Sequence, residues 1–322
     1  MTFEHKKIPL LSSKFKNIKM SLILAGGGRW ANIILNELSS NFKNLQKIII
    51  ITKNKNIIDK LPAELNKKIY ISKSLNNINL KKITHGIIAN KNSDHYLYSK
   101  KILKKNINIL VEKPLVKNIK EFEILKKYSR QNKKIIHVSM PFFFAYYFFC
   151  IKKLISENNT QLTFEWHDPK NDKRHGIIKK YDKSISYMED TIYHVFGILN
   201  CLFGSKKIVY KFSKNFINKG YLIFNYGKIN VKVICSRNQI NKRIRKINIS
   251  TNNKIIKVNY SNDNNVIASV NGRKKNLNFN FNQNSLKYQL FNFLNTKNYS
   301  KNYCLNDIRN LDSLFYLIKQ IR

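Results

Sequence analysis

A chain of 322 residues is long enough for two domains and a sizeable core. Its 60 Lys and Arg against 18 Asp and Glu give a formal net charge of +42, which first suggests nucleic acid. Lysine greatly outnumbers arginine, however, and is spread over every segment, whereas specific nucleic-acid readers concentrate arginine on one face, so a dedicated RNA-binding role ranks low.

Residues 1–19 are polar and lysine-rich without an apolar signal core, and are expected to form an N-terminal extension. The folded chain is expected to start near Met20. Ser21 to Ala25 is a short apolar run followed by Gly26-Gly27-Gly28-Arg29-Trp30-Ala31. Read as G-x-G-x-x-A between a strand and a helix (Trp30 to Leu38), this is a dinucleotide-binding turn. Gly26 makes the turn, Gly28 lets a pyrophosphate approach the backbone, and Ala31 lets helix and strand pack closely. The helix N-terminus, including Arg29 and Trp30, faces the anion. The next strand, Lys47 to Thr52, ends without the Asp or Glu that would bind the adenosine ribose of NAD. It carries Thr52-Lys53-Asn54-Lys55 instead, a hydroxyl and two ammonium groups that suit a 2′-phosphate. NADP(H) is therefore favoured, with NAD(H) as the alternative.

Strands at Ile69 to Ile71, Thr84 to Ala89, Ile107 to Val111 and Lys134 to Val138 alternate with helices Tyr96 to Lys105 and Glu121 to Gln131, the pattern of βαβ units on a parallel sheet. The loop after Ala89 runs from Asn90 to His95. Strand Ile107 to Val111 closes on Glu112-Lys113-Pro114. Proline pushes Lys113 into extended geometry and ends the pairing, so a lysine is held at the carboxyl end of a parallel strand, where open α/β sheets bind ligands.

From Pro141 the texture changes. A helix through Ile155 opens with the aromatic run Phe142 to Tyr147, whose first residues are expected to flank a substrate cleft. Strands follow at Gln161 to His167, Ile208 to Phe212, Tyr221 to Phe224, Lys228 to Cys235, Lys246 to Ser250 and Lys254 to Tyr260, with Ser261 to Asn284 turn-laden. Helices are expected at Met188 to Leu202, Leu286 to Leu294 and Asn306 to Gln320. The expected domains are a Rossmann domain at 20–140 and, at 141–322, an α+β substrate and oligomerisation domain with an open, mostly antiparallel sheet. Asp190 and His194 lie four residues apart, one turn of helix, so a carboxylate can orient an imidazole as a general acid/base needs.

The glycine turn, the Glu-Lys-Pro strand end and the D-x-x-x-H helix, in this order and spacing, resemble the glucose–fructose oxidoreductase/inositol dehydrogenase/MocA (Gfo/Idh/MocA) family. The resemblance implies an NAD(P)-dependent oxidoreductase exchanging hydride with a hydroxyl or carbonyl of a sugar, nucleotide-sugar or cyclitol. By it Lys113 is the catalytic lysine, His194 the acid/base and Asp190 its orienter. Glu112 and Pro114 shape the cofactor floor, and Asn90 and His95 match the loop beside the nicotinamide. Ile192 and Gly197 depart from the common D-x-G-x-H-x-x-D pattern, and Asn90-Lys91 replaces the usual Thr-Pro, which leaves the substrate open. Gly-Gly-Gly-Arg-Trp also resembles the thiazolinyl imine reductases of siderophore synthesis, and a catalytically idle cofactor-binding regulator is a further alternative.

Cys150, Cys201, Cys235 and Cys304 are far apart, and no Cys/His cluster has metal-ligand spacing, so reduced thiols of a cytoplasmic protein without a metal are expected. The most apolar stretch, Met140 to Ile151, is shorter than the roughly 20 residues a membrane span needs. The expected partners are a small sugar-like or anionic substrate and a second copy joined through the C-terminal sheet, without specific nucleic acid or membrane.

Overall fold

The computed structural model describes residues 20–295 and 307–322, apart from 43, 60, 77, 156–158, 171–172, 175–176, 179–184, 239–240, 263–264 and 277–284. The expected extension 1–19, Cys304 and the start of the last helix lie outside the described residues. The chain divides into two compact units: Met1–Ser139 with Asn284–Ile308, and Met140–Gln283 with Arg309–Arg322.

The first unit is a six-stranded sheet of β1 (Met20–Ala25), β2 (Leu45–Ile51), β3 (Ile69–Ser72), β4 (His85–Ile88), β5 (Asn108–Val111) and β6 (Ile136–Val138). The order is β3-β2-β1-β4-β5-β6 and every pair is parallel. The central strands are apolar almost without alternation because both faces are covered, as parallel sheets require. The helices are α1 (Arg29–Asn41), the short α2 (Ala63–Asn66), α3 (His95–Leu103) and α4 (Ile119–Gln131), the last capped by Asn118 Oδ1 on the Glu121 N–H at 2.9 Å. A Cβ on Gly86 would sit 3.1 Å from Ile102 of α3 and 3.2 Å from Ile23 of β1, tighter than side chains usually pack. The missing side chain lets helix and strand approach.

The opposite face is covered by α1 and, unexpectedly, by α7 (Ser285–Leu294) from late in the chain. Leu286, Leu290, Phe293 and Leu294 join one apolar cluster with Leu24, Leu35, Ile50, Ile87 and Leu110. The expected division at residue 140 had grouped this helix with 141–322. Its apolar stripe shows that it must be buried, but not against which sheet.

The second unit holds an eight-stranded sheet of β7 (Gln161–Asp168), β10 (Ile208–Asn215), β11 (Lys219–Tyr226), β12 (Ile229–Arg237), β13 (Ile244–Ser250), β14 (Ile255–Asn259), β15 (Ile267–Val270) and β16 (Arg273–Asn276). A two-residue hairpin, β8 (Lys173–Arg174) and β9 (Ile177–Ile178), stands apart from it. The sheet order is β10-β11-β12-β7-β13-β14-β15-β16, and only β12 and β7 run parallel. Buried and partly exposed residues alternate along β7, β11 and β13, so one face is packed. That face receives α6 (Tyr187–Phe203), where almost every side chain is buried, while α8 (Asp312–Ile321) packs on α6 and β10.

Two expectations change. Ser261 to Asn284, read as turn-laden, contains β15 and β16, joined at Asn271-Gly272 with φ of 48° and 82°. Positive φ at both central residues is the demand of a tight hairpin turn and the reason Asn-Gly stands there. The helix from Pro141 through Ile155 is a 3₁₀ turn, Pro141–Phe144, then α5 (Tyr146–Lys152), with Ala145 extended between them. The break turns the Phe142 ring towards β7 and α6. Among the described residues no helix is long and apolar enough to cross a membrane.

Candidate active site

The first unit gathers its candidate residues at the carboxyl ends of three adjacent strands, β1, β4 and β5. After β1, Gly26 has φ of +145°, and a Cβ there would lie 2.5 Å from the carbonyl oxygen of Ala89. Gly27 presses on the end of β2, where a Cβ would meet Thr52 Oγ1 at 1.9 Å. Gly28 caps α1 in extended geometry, and a Cβ there would touch nothing within 4 Å. Open space thus begins at the helix N-terminus that a pyrophosphate would need. Ala31 is fully buried between α1 and the sheet, as its small side chain anticipates. Gly26→Ala is expected to destabilise the unit by about 3 kcal/mol or prevent its folding, because both the left-handed φ and the backbone contact oppose it. Urea unfolding of the variant checks this.

At the end of β2, Thr52 Oγ1 accepts the Asn54 N–H at 3.0 Å, and Asn54 Nδ2 donates to the Gly27 carbonyl at 2.9 Å. Thr52 and Asn54 therefore brace the glycine turn, a role the strand-end reading missed. Lys53 projects into solvent.

The turns after β4 and β5 are tied together by His95, which is fully buried. Its Nδ1 lies 2.7 Å from the Pro114 carbonyl and its Nε2 3.3 Å from the Asn90 carbonyl. Burial lowers its pKa, outweighing the two carbonyls and Asp94, so a neutral ring donating through Nδ1 to Pro114 fits best. His95 thus holds the turn rather than offering a proton. The Lys113–Pro114 peptide bond is cis.

Glu112 keeps some exposed surface as a residue, but its carboxyl is enclosed by protein. Burial raises that carboxyl to about 7, against the pull of Ser139, Trp30 and Lys113, whose charge and backbone N–H both act on it. Behind it, Gln289 of α7 donates through Nε2 to Ser139 Oγ at 3.0 Å. Ser139 and Gln289 had no place among the sequence candidates. Gln289 nevertheless left a signal: it occupies the apolar stripe of α7, between Leu286 and Phe293, where a lone polar residue needs a buried partner.

In the second unit Ser186 caps α6, its hydroxyl accepting the Glu189 N–H at 3.1 Å. Arg322 grips the Glu189 carboxylate through Nη2 and, at 3.2 Å, Nε. One turn apart on the same helix, Asp190 and His194 are half-buried. Burial, aided by the Asp190 charge, raises the Cys235 thiol to about 12, so it is inert. The His194 ring stacks on Trp166 with centroids 4.9 Å apart and planes at 12°, while Phe142 meets it edge-on at 5.4 Å. Trp166 is itself covered by the Arg245 guanidinium, 4.0 Å from its ring centroid. Arg245 is bound to Asp168 and donates to the His167 carbonyl at 2.6 Å. The sequence reading named none of Trp166, Asp168 and Arg245. On β7 the buried phase runs Leu162, Phe164, Trp166, Asp168, and a carboxylate in that phase signals a buried cation opposite it.

A parallel sheet with a glycine turn after its first strand and a Glu-Lys-Pro turn after its fifth defines a nucleotide-binding class, and comparison with known proteins agrees. Residues 20–140 match the family described as "Oxidoreductase family, NAD-binding Rossmann fold" (GFO_IDH_MocA). No curated protein matches the chain. Among solved structures, UDP-N-acetylglucosamine 3-dehydrogenase from Acidithiobacillus ferrooxidans is 15% identical, with a TM-score of 0.73 over 95% of this chain and 97% of its own. A dehydrogenase from Clostridium difficile is 16% identical, with a TM-score of 0.74 over 94% and 99%. A protein described as an NADPH-dependent oxidoreductase from Desulfitobacterium hafniense is 12% identical, with a TM-score of 0.73 over 95% and 96%. Residues 20–140 are an NAD-binding Rossmann domain of the Gfo/Idh/MocA oxidoreductase family.

Proposed function

We propose that the protein is an NADP(H)-dependent oxidoreductase that acts on a hydroxyl or carbonyl of a nucleotide-sugar. The observation that carries this reading is the juxtaposition of the Gly26–Gly28 turn, Asn90 and the Glu112-Lys113-Pro114 turn at one sheet edge, on the neighbouring strands β1, β4 and β5. Gly26, Gly28 and the first turn of α1, with Arg29, Trp30 and Ala31, would hold the pyrophosphate. Thr52 and Lys53 would meet the adenosine ribose and its 2′-phosphate, since no acid stands there. Asn90 and Pro114 would line the nicotinamide.

A bound nicotinamide supplies hydride exchange. In this reading Lys113 presents a positive charge to the oxygen that develops alkoxide character. His194 removes or returns that oxygen's proton, and Asp190 orients the imidazole. Stacking on Trp166 and the edge of Phe142 restricts the plane in which His194 works. The nucleotide-sugar class is supported by the likeness to the UDP-N-acetylglucosamine 3-dehydrogenase and by a charge of +42 that would draw an anionic substrate. A second copy is proposed to cover the partly exposed face of the eight-stranded sheet, near which Val209, Phe212 and Ile217 leave apolar surface.

The reading is tested by mixing the protein with UDP-N-acetylglucosamine and either NADP⁺ or NAD⁺ and following nicotinamide absorbance, with cofactor affinities measured alongside. Reduction of NADP⁺ in preference to NAD⁺ is expected. NADH binding ten times tighter than NADPH, about 1.4 kcal/mol in the wrong direction, would remove the NADP assignment. Absence of binding by either cofactor would remove the whole reading.

A further inference from the structure

The buried chain of donors behind the Glu-Lys-Pro turn has no part in the reading above. Gln289 Nε2 donates to Ser139 Oγ at 3.0 Å, and Ser139 in turn acts on the Glu112 carboxyl. A serine hydroxyl has one hydrogen. With its oxygen accepting from Gln289, that hydrogen is free for Glu112. An amide turned the other way would take the hydrogen for itself and leave the carboxyl without it. A hydroxyl aimed at a carboxyl favours its ionised form over its protonated one, so the direction of the chain works against the burial that raises this group. The Lys113 backbone N–H also donates to this group, and the Trp30 indole N–H approaches it without reaching ordinary bonding geometry.

We propose that Glu112 is the counter-charge that positions Lys113, and that Ser139 and Gln289 hold it ionised. The inference rests on the oxidoreductase reading of Lys113, which it supplies with a supporting layer. Four elements converge on the carboxyl: the start of α1 through Trp30, the Glu-Lys-Pro turn through Lys113, the end of β6 through Ser139, and α7, by way of Ser139, through Gln289. Trp30, Ser139 and Gln289 do not titrate, so the charge acting on Glu112 is that of Lys113. His95, at the far side of Pro114, is held towards its neutral form. Gln289 is only 1% exposed, so its amide has no solvent to turn to. Burial sets Glu112 at about 7, so small changes in its donors move its charge state across neutral pH.

Trp30 makes the inference measurable without turnover, because a protonated carboxyl quenches indole emission more strongly than a carboxylate. The protein has two tryptophans, and Trp166→Phe leaves Trp30 as the reporter. Emission is expected to fall in one step as pH drops through about 7, and Glu112→Gln to abolish the step. Ser139→Ala removes a donor to the anion and should move the midpoint upward by about one pH unit. Ser139→Thr, which keeps the hydroxyl, should restore it. Gln289→Leu and Lys113→Met should each move it upward by about half a pH unit or more. A flat titration, or a midpoint unmoved by Lys113→Met, overturns the proposal. Should Gln289→Leu fail to fold, Ser139→Ala and Lys113→Met decide alone. The titration is independent of catalysis, so a Lys113 variant that kept full turnover would remove the enzymatic reading while leaving the midpoints as they are.

Discussion

Lys113→Ala is expected to lower turnover by roughly 10²- to 10⁴-fold while leaving NADPH affinity nearly intact. Lysine charge is wanted only where the substrate oxygen becomes negative, so its loss acts on the transition state rather than on cofactor binding. His194→Ala should cost a similar factor if, as proposed, the imidazole handles the proton of the same oxygen. If both serve one proton path, the double variant should lose little beyond the worse single one. Steady-state rates together with NADPH titration separate these outcomes. Near wild-type turnover in His194→Ala would leave that ring as a packing partner of Trp166 and Phe142, a role its stacked geometry would serve equally well.

Glu112→Gln is expected to stabilise the first unit at pH 8 by up to about 3 kcal/mol. The sign follows from the direction of the shift. The folded carboxyl titrates at about 7 and an unburied one at 4.5, so between these values the folded chain binds more protons than the unfolded one. Stability therefore rises as pH falls from about 7 towards 4.5, and above 7 the enclosed charge costs its full amount. Glutamine has the shape of the acid without the charge, so its advantage should be largest at pH 8 and vanish near pH 5. Urea unfolding at the two values, followed through Trp30 in the Trp166→Phe background, measures the difference. A less stable variant at pH 8 would show that the donors more than offset the burial of the charge. A costly carboxylate kept beside the proposed catalytic lysine has the pattern of a residue retained for function rather than for folding.

The parallel sheet was legible because its central strands are buried on both faces and almost wholly apolar, and because three strand ends carry a distinctive residue: Gly26 after β1, Asn90 after β4, Glu112 after β5. The antiparallel sheet was legible by alternation as far as Tyr260. It was lost beyond that point, since β15 and β16 have four residues each, β16 is wholly polar, and the pair is outlined mainly by the Asn271-Gly272 turn between them. Supporting residues were least visible. Gln289 reaches Ser139 across 150 positions, and Arg245 reaches Asp168 across 77. Neither partner is implied by local periodicity; the only trace is a polar side chain in an otherwise apolar phase. His95 was read as a nicotinamide-loop residue, while its two carbonyl contacts describe a brace between turns.

The placement of α7 bears on how the chain can mature. Strands β1 to β6 leave the ribosome first, but the sheet face between α1 and Phe293 stays uncovered until residues 285–294 have been synthesised. Throughout elongation of the intervening segment, the nascent nucleotide-binding half exposes Ile87, Leu110 and their neighbours, the kind of surface that holding chaperones bind. A fragment cut after Ser139 would keep that defect permanently, and would also leave Ser139 without the amide that Gln289 brings.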